Sequence, residues 1–243
     1  MKNFLLFLIV TLFCIHSQAQ ELKNVIKLLP MNLPLTSLAM EYERMIDPKN
    51  SVEFGIGIPL KSSFVNKFGM TWSESEHISS NHLGIFSMRG AYRHYTGKSM
   101  LPKGFYVAPF LKFQNVSAAA DNVRFVTDTE IPYSYSEDYD VKINTISIGC
   151  QLGYQFLISK TISLDLFFFG LEGGLGKVNA HITTNNAEET VNIQQDIQDT
   201  VDDFPSMWKN NIDVSSQGYV VSIVGKKLFY PWYRGGFSLG VAF

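Results

Sequence analysis

ISIGCQLGYQFLI, residues 146–158, alternates without a break. Side chains of an extended chain point to opposite faces in turn. Ile146, Ile148, Cys150, Leu152, Tyr154, Phe156 and Ile158 therefore share one face, and Ser147, Gly149, Gln151, Gly153 and Gln155 share the other. Neither face carries a charge. A soluble sheet shows water a face rich in Lys and Glu. Here the polar face is small and uncharged, which suits a cramped interior, and the wide apolar face is left to look outward.

The same period runs in both directions from this stretch. Towards the N-terminus it recurs in 105–114, 86–95, 52–60 and 37–46, and more weakly in 24–31, where Ile26 and Leu28 oppose Lys27 and Leu29. Towards the C-terminus it recurs in 161–176 and in YRGGFSLGVAF, 233–243. In 161–176 the phase slips at Phe167–Phe169, as a β-bulge would make it. Pro109 lacks a ladder donor in the middle of an apolar face, and a second bulge is expected there. The total is eight strands. Short links (47–50, 96–104 and 159–160) alternate with long polar ones, about 61–81, 117–141 and 178–230. An even number of strands with short turns at one end and long loops at the other is the organisation of outer-membrane barrels.

The first residues bear on compartment. Lys2, an apolar run from Phe4 to Ile15, and small Ser17 and Ala19 read as a secretory leader over 1–19. The run falls short of the roughly 20 residues a spanning helix needs. Loss of the leader takes Cys14 with it and leaves Cys150 alone, so no internal disulfide is expected. A charged fraction of 17 % and a net charge of −2 leave no basic surface for nucleic acid. The mature chain, 20–243, then reads as one barrel domain.

Two eight-stranded barrels fit the alternation. A soluble one turns its apolar face inward around a ligand, and a membrane one inverts this. The uncharged apolar face favours the second. Tyr42, Tyr92, Tyr154 and Phe243 towards the short-turn end, with Tyr230 and Trp232 towards the other, fit two interfacial girdles. A closed barrel pairs its last strand with its first, which accounts for a chain ending on Phe243 in mid-strand. Such an end is similar to the signal that barrel-assembly machinery reads.

The polar face carries the candidate chemistry. Glu41, Glu43, Glu53, Arg89, Arg93, Glu172 and Arg234 should point into the lumen, with Glu43 level with Arg93 and Glu172 level with Arg234. They read as a structural plug of ion pairs, since eight strands leave little pore. The alternative is a proton or ion path. Catalysis at the outer rim would need a Ser–His pair, and His77, His82 and His181 sit in no such local arrangement. A metal held by His77, His82, Glu74 and Glu76 matches no specific spacing. The stretches 121–140 and 187–204 are acidic and read as solvated surface, with binding of divalent cations or a basic partner as the alternative. In 187–204, Val191, Gln194, Ile197, Val201 and Phe204 fall at helical spacing before Pro205, and a short helix is expected. An extracellular hairpin turning at Gln217–Gly218 should follow it.

The stretches KNVIKLLPMNLPLTSLAMEYERMIDPKNSVEFGIGIPL (23–60), GFYVAPFLKF (104–113), IQDTVDDFP (197–205) and the terminal GGFSLGVAF together resemble small outer-membrane barrel proteins of Bacteroidota, a family of unknown function. The resemblance implies an OmpA/OmpX-like eight-stranded barrel and assigns no functional residue. The expectation is therefore an all-β, eight-stranded antiparallel up-and-down transmembrane barrel in a Gram-negative outer membrane. A short helix and a hairpin lie in its last extracellular loop, and both termini are periplasmic. Its partners would be outer-membrane lipids including lipopolysaccharide, and the assembly machinery through the C-terminal strand. A monomer without cofactor or catalytic activity is expected, in a structural or surface-interaction role. A narrow channel and a lipid-modifying enzyme are the alternatives.

Overall fold

The computed structural model describes residues 22–33, 37–60, 80–126, 134–158 and 161–243. The leader expected over 1–19, nearly all of the loop expected over 61–81, and His77 lie outside the described residues. The strands are β1 Asn24–Leu29, β2 Ser37–Met45, β3 Asn50–Pro59, β4 Ser80–Tyr95, β5 Gly104–Val126, β6 Ser134–Ile158, β7 Ile162–Thr184, β8 Ile212–Gln217 and β9 Val220–Ala242. A 3₁₀ turn, Pro30–Asn32, follows β1, and two helices, α1 Ala187–Asp202 and α2 Ser206–Lys209, lie between β7 and β8.

All nine strands form one antiparallel sheet. Strands β1 to β7 pair in order, β7 pairs with β9, and β9 pairs with β1 to close a ring of eight. The seam runs from Val25–Ala242 to Leu28–Leu239, and Asn24 and Phe243 exchange backbone hydrogen bonds of 3.0 and 2.9 Å below it. Strand β8 pairs only with the upper part of β9. The expected hairpin is therefore present, but its second strand is continuous with the last strand of the ring. It turns through Gly218 and Tyr219, with Gly218 at φ +61°.

The ring is strongly staggered. Neighbour by neighbour from Leu28, the partners are Met40, Ile56, Met88, Phe113, Ile146, Leu175 and Phe229. Across the seam, Leu28 instead meets Leu239, ten residues further along β9. With about 3.3 Å per residue and about 4.8 Å between strands, that stagger tilts the strands by about 40°.

Burial follows the alternation: the Glu- and Gly-bearing face is inside and the apolar face outside. On β2, Ala39, Glu41 and Glu43 are buried while Met40, Tyr42 and Arg44 are exposed. On β3, Glu53 is buried and Val52, Phe54, Ile56 and Ile58 are exposed. On β6, Gln151 and Gln155 are buried while Ile146, Ile148 and the free thiol of Cys150 are exposed.

The slip in β7 is a bulge at Phe168. Leu152 pairs with Phe169 and Gly153 with Phe167, so one residue is extra. The bulge turns Phe167 inward and leaves Phe168 and Phe169 outside. At Pro109 the expected bulge is absent. Pro109 pairs with Cys150 in register, and the β4 ladder skips from Ala91–Phe110 to His94–Val107 without a shift. The missing N–H is absorbed by an interrupted ladder rather than an extra residue.

The strands also run further than the alternation suggested. Residues 117–126 and 134–141 are paired across β5 and β6, and 178–184 continues β7. As a result the wall is low at β1–β3 and tall from β4 to β9. Helix α1 starts at Asn186, whose side chain accepts from the Glu188 N–H at 3.0 Å. It buries Thr190 and Val201, whereas Val191 and Phe204, which share the helical spacing of Val201, are exposed.

Candidate functional site

The inside of the ring is charged at two levels. In the lower tier, nearer the short turns, Lys27 of β1 reaches across to three carboxylates. Its Nζ lies 2.5 Å from Glu43, 3.2 Å from Glu53 and 3.0 Å from Asp165, and it also donates to Gln155 at 3.0 Å. Arg93 pairs with Asp165 at 2.6 Å, with Glu43 at 3.7 Å and with Glu53. The Lys27, Arg93, Glu43, Glu53 and Asp165 side chains are all 0 % exposed. Aromatic groups complete the seal. Tyr95 donates to Glu43 at 2.6 Å, Tyr106 donates to Asp165 at 2.8 Å, and the Arg93 guanidinium lies 4.2 Å from the Tyr106 ring centroid.

Two of these rings need glycine opposite them. A Cβ on Gly153 would sit 2.4 Å from the Tyr106 hydroxyl oxygen, and one on Gly149 would sit 2.4 Å from the Phe110 ring. The glycines on the polar face of β6 are notches for inward aromatic side chains.

In the upper tier Glu41 holds two cations on one oxygen, Arg89 at 2.8 Å and Arg234 at 3.0 Å. Arg89 also pairs with Glu53, which joins the tiers. Lys112 of β5 pairs with Glu172 of β7 at 2.8 Å, and the Ser147 hydroxyl between them donates to Glu172 at 2.7 Å. Arg234 lies 4.9 Å from the Phe167 ring centroid. Across both tiers, five cations meet five carboxylates. Buried charge is tolerable only when so matched.

All seven charged residues expected in the lumen are there. Glu43 and Arg93 meet, but Glu172 and Arg234 do not. Arg234 is in register with Gly170 and turns to Glu41, while Glu172 takes Lys112 across β6. The stagger of the ring decides this, because level residues on β7 and β9 are not register partners. Lys27, Lys112, Asp165, Tyr95 and Tyr106 are the network members that were not singled out from sequence. Their only local signal is a place on the polar face.

The girdle aromatics Tyr42, Tyr92, Tyr154 and Trp232 are exposed, and Phe243 is half-buried at the seam. Tyr230 and Trp232, expected together on the outside, are instead in register with the inward-facing Gly174 and Glu172, and the Tyr230 hydroxyl is 2.6 Å from where a Cβ on Gly174 would be. An outer groove lined by Leu171, Pro231, Trp232 and Tyr233 holds no titratable carboxylate or amine.

His82 and His181 are both exposed, and His181 Nδ1 lies 3.1 Å from the Ser222 hydroxyl. Among the described residues, no three His, Cys, Asp or Glu side chains are placed to hold a metal ion. No family model matches the chain, and neither a curated protein nor a solved structure matches it. No helix among the described residues is long and apolar enough to cross a membrane, which says nothing of strands.

Proposed function

We propose that the chain is an integral outer-membrane β-barrel with a structural or surface-interaction role in the cell envelope and no catalytic step of its own. The observation that carries this is the inversion of the ring. Ion pairs fill the inside, and the outside is a belt that includes Ile56, Leu111, Ile146, Ile148, Leu171 and Leu175, all exposed. Soluble monomers expose contiguous apolar patches of only a few hundred Å². A tilt of about 40° also lies within the range of membrane barrels. Tyr42, Tyr92 and Tyr154 then serve as interfacial anchors, and Phe243 belongs to the strand the assembly machinery would read. Asn24 and Phe243 meet at the short-turn end, as expected of an exported chain whose long connections face outward. The tall strands and α1 form the part available to surface partners.

The test is heat-modifiability. Purified mature chain in detergent should run as a compact band unboiled and shift on boiling, with a strand-dominated circular dichroism spectrum only in detergent or lipid. A chain that stays folded and monodisperse without detergent would overturn the reading. The sealed lower tier disfavours the channel alternative, and planar-bilayer recordings should be free of reproducible conductance steps.

A further inference from the structure

We propose that the upper tier of the lumen is a binding site for the oxyanion group, carboxylate or phosphate, of a small solute entering from the long-loop side. Three features of the network lead there. The first is accessibility. Lys112 and Arg234 keep 15 % and 16 % of their side-chain surface exposed, whereas their carboxylate partners Glu172 and Glu41 keep 0 % and 4 %, and the tier below is at 0 %. Solvent that reaches this floor meets cations first.

The second feature is charge. The upper tier places Arg89, Arg234 and Lys112 against Glu41 and Glu172, so the excess is positive. The compensating negative excess sits below, where Glu43, Glu53 and Asp165 face Lys27 and Arg93. The third is unmet hydrogen bonding. Arg89 is 4 % exposed, its guanidinium lies 5.5 Å from the Phe110 ring centroid, and its Nε and Nη1, like Nε of Arg93 below, have no hydrogen-bond partner among the described residues. Buried guanidinium nitrogens without acceptors are costly, and each calls for a reason. An oxyanion between Arg234 and Lys112, the two cations whose side chains solvent reaches, supplies acceptors and the missing negative charge together. Two carboxylates oppose it: Glu172, already held by Lys112 and Ser147, and Glu41, whose Oε2 is buried and unpartnered. They are outweighed by the three cations, and Glu41 Oε2 would be best met by a protonated oxygen of the same ligand.

The inward positions above the tier are small residues, with Tyr230 filling the space over Gly174 and Ser87 that over Gly57. Above Arg89 the inward positions include the Gly57–Ser87 pair, and above Glu172 they are Gly174 and Gly176.

The experiment titrates full mature chain in nonionic detergent with inorganic phosphate at constant ionic strength. It reads the thermal unfolding midpoint and the calorimetric heat. A saturable rise is expected. Arg234→Gln leaves Glu41 with Arg89 and should weaken phosphate at least tenfold, the worth of about one charge-assisted hydrogen bond. Arg234→Lys should restore most of the affinity, and Lys142→Gln, on the exposed outer part of β6, should change nothing. The boiled-versus-unboiled gel shift verifies that each variant is folded. If Arg234→Gln does not fold, Lys112→Gln with Glu172→Gln removes the other exposed cation together with its partner and should weaken phosphate likewise. No saturable response in wild type, or unchanged affinity in a folded variant, overturns the proposal. A lyso-phospholipid that outcompetes phosphate would assign the oxyanion to a lipid headgroup and overturn the soluble-solute part. The result does not depend on the barrel's role in the envelope.

Discussion

Lys27 stands among Glu43, Glu53 and Asp165 with no exposed surface. Its replacement by Met would leave Arg93, helped only by Arg89 at Glu53, to balance three buried carboxylates. Breaking such a group costs about 3–5 kcal/mol, and urea unfolding in lipid vesicles should show a loss of that size. Adding Glu43→Gln should recover part of it, because Ser51 and Tyr95 still donate to that side chain, at 2.5 and 2.6 Å. Gly153 fails for a different reason. A methyl there meets the Tyr106 hydroxyl oxygen at 2.4 Å and the Leu166 carbonyl at 2.7 Å. Overpacking of this kind costs about 1–3 kcal/mol, and Gly153→Ala should lower the unfolding midpoint accordingly. In the β2–β3 turn, the Asn50 amide and then the Lys49 N–H donate to Asp47 and hold its carboxyl below the ordinary aspartate range. A depressed pKa stabilises the fold above the unfolded value, and that contribution is lost as pH falls through the folded one. The stability difference between wild type and Asp47→Asn should therefore be constant above about pH 5 and shrink below about pH 4.

Among the elements, those with one wet and one apolar face were legible in the sequence. The bulge in β7 was visible as three consecutive aromatics, because an extra residue must break the period. Pro109 gave the same warning without the same outcome, since an absent donor interrupts a ladder without adding a residue. The outer halves of β5 and β6 could not be read as strands. In DVKINT, 140–145, Val141 and Ile143 fall on the face that carries Ser147 and Gln151 further along, and Asp140, Lys142 and Asn144 on the face of Ile146 and Ile148, so the apolar and polar faces change places although the ladder continues. Likewise, the position of Lys27 on the polar face was readable, but its partners were not. They come from β2, β3, β6 and β7, and which levels meet is set by the stagger of the whole ring. The hairpin of β8 and β9 depends on Gly218 at φ +61°. Gly218→Ala should destabilise that hairpin by about 1 kcal/mol, seen as faster amide exchange in 212–225, with the unfolding midpoint of the ring unchanged.

At the scale of the molecule, the tall side and the closed ring are separable. Lys209 lies on the exposed connection between β7 and β8, which takes no part in ring closure. Trypsin acting on the chain in vesicles should cut there, and the nicked protein should keep its heat-modifiable mobility, because every ring pairing survives the cut. The low side has the opposite character. β6 and β7 are paired from Glu137–Thr184 to Ile158–Ile162, whereas β1 and β9 meet only over Val25–Leu28. The two chain ends must both be present before that seam can form, so the cylinder is completed last and late, after all the sequentially adjacent hairpins. The same short seam is where thermal fluctuation would first unzip the wall, which makes it the natural gate through which the folded barrel exchanges its innermost amides and through which a second chain could be spliced.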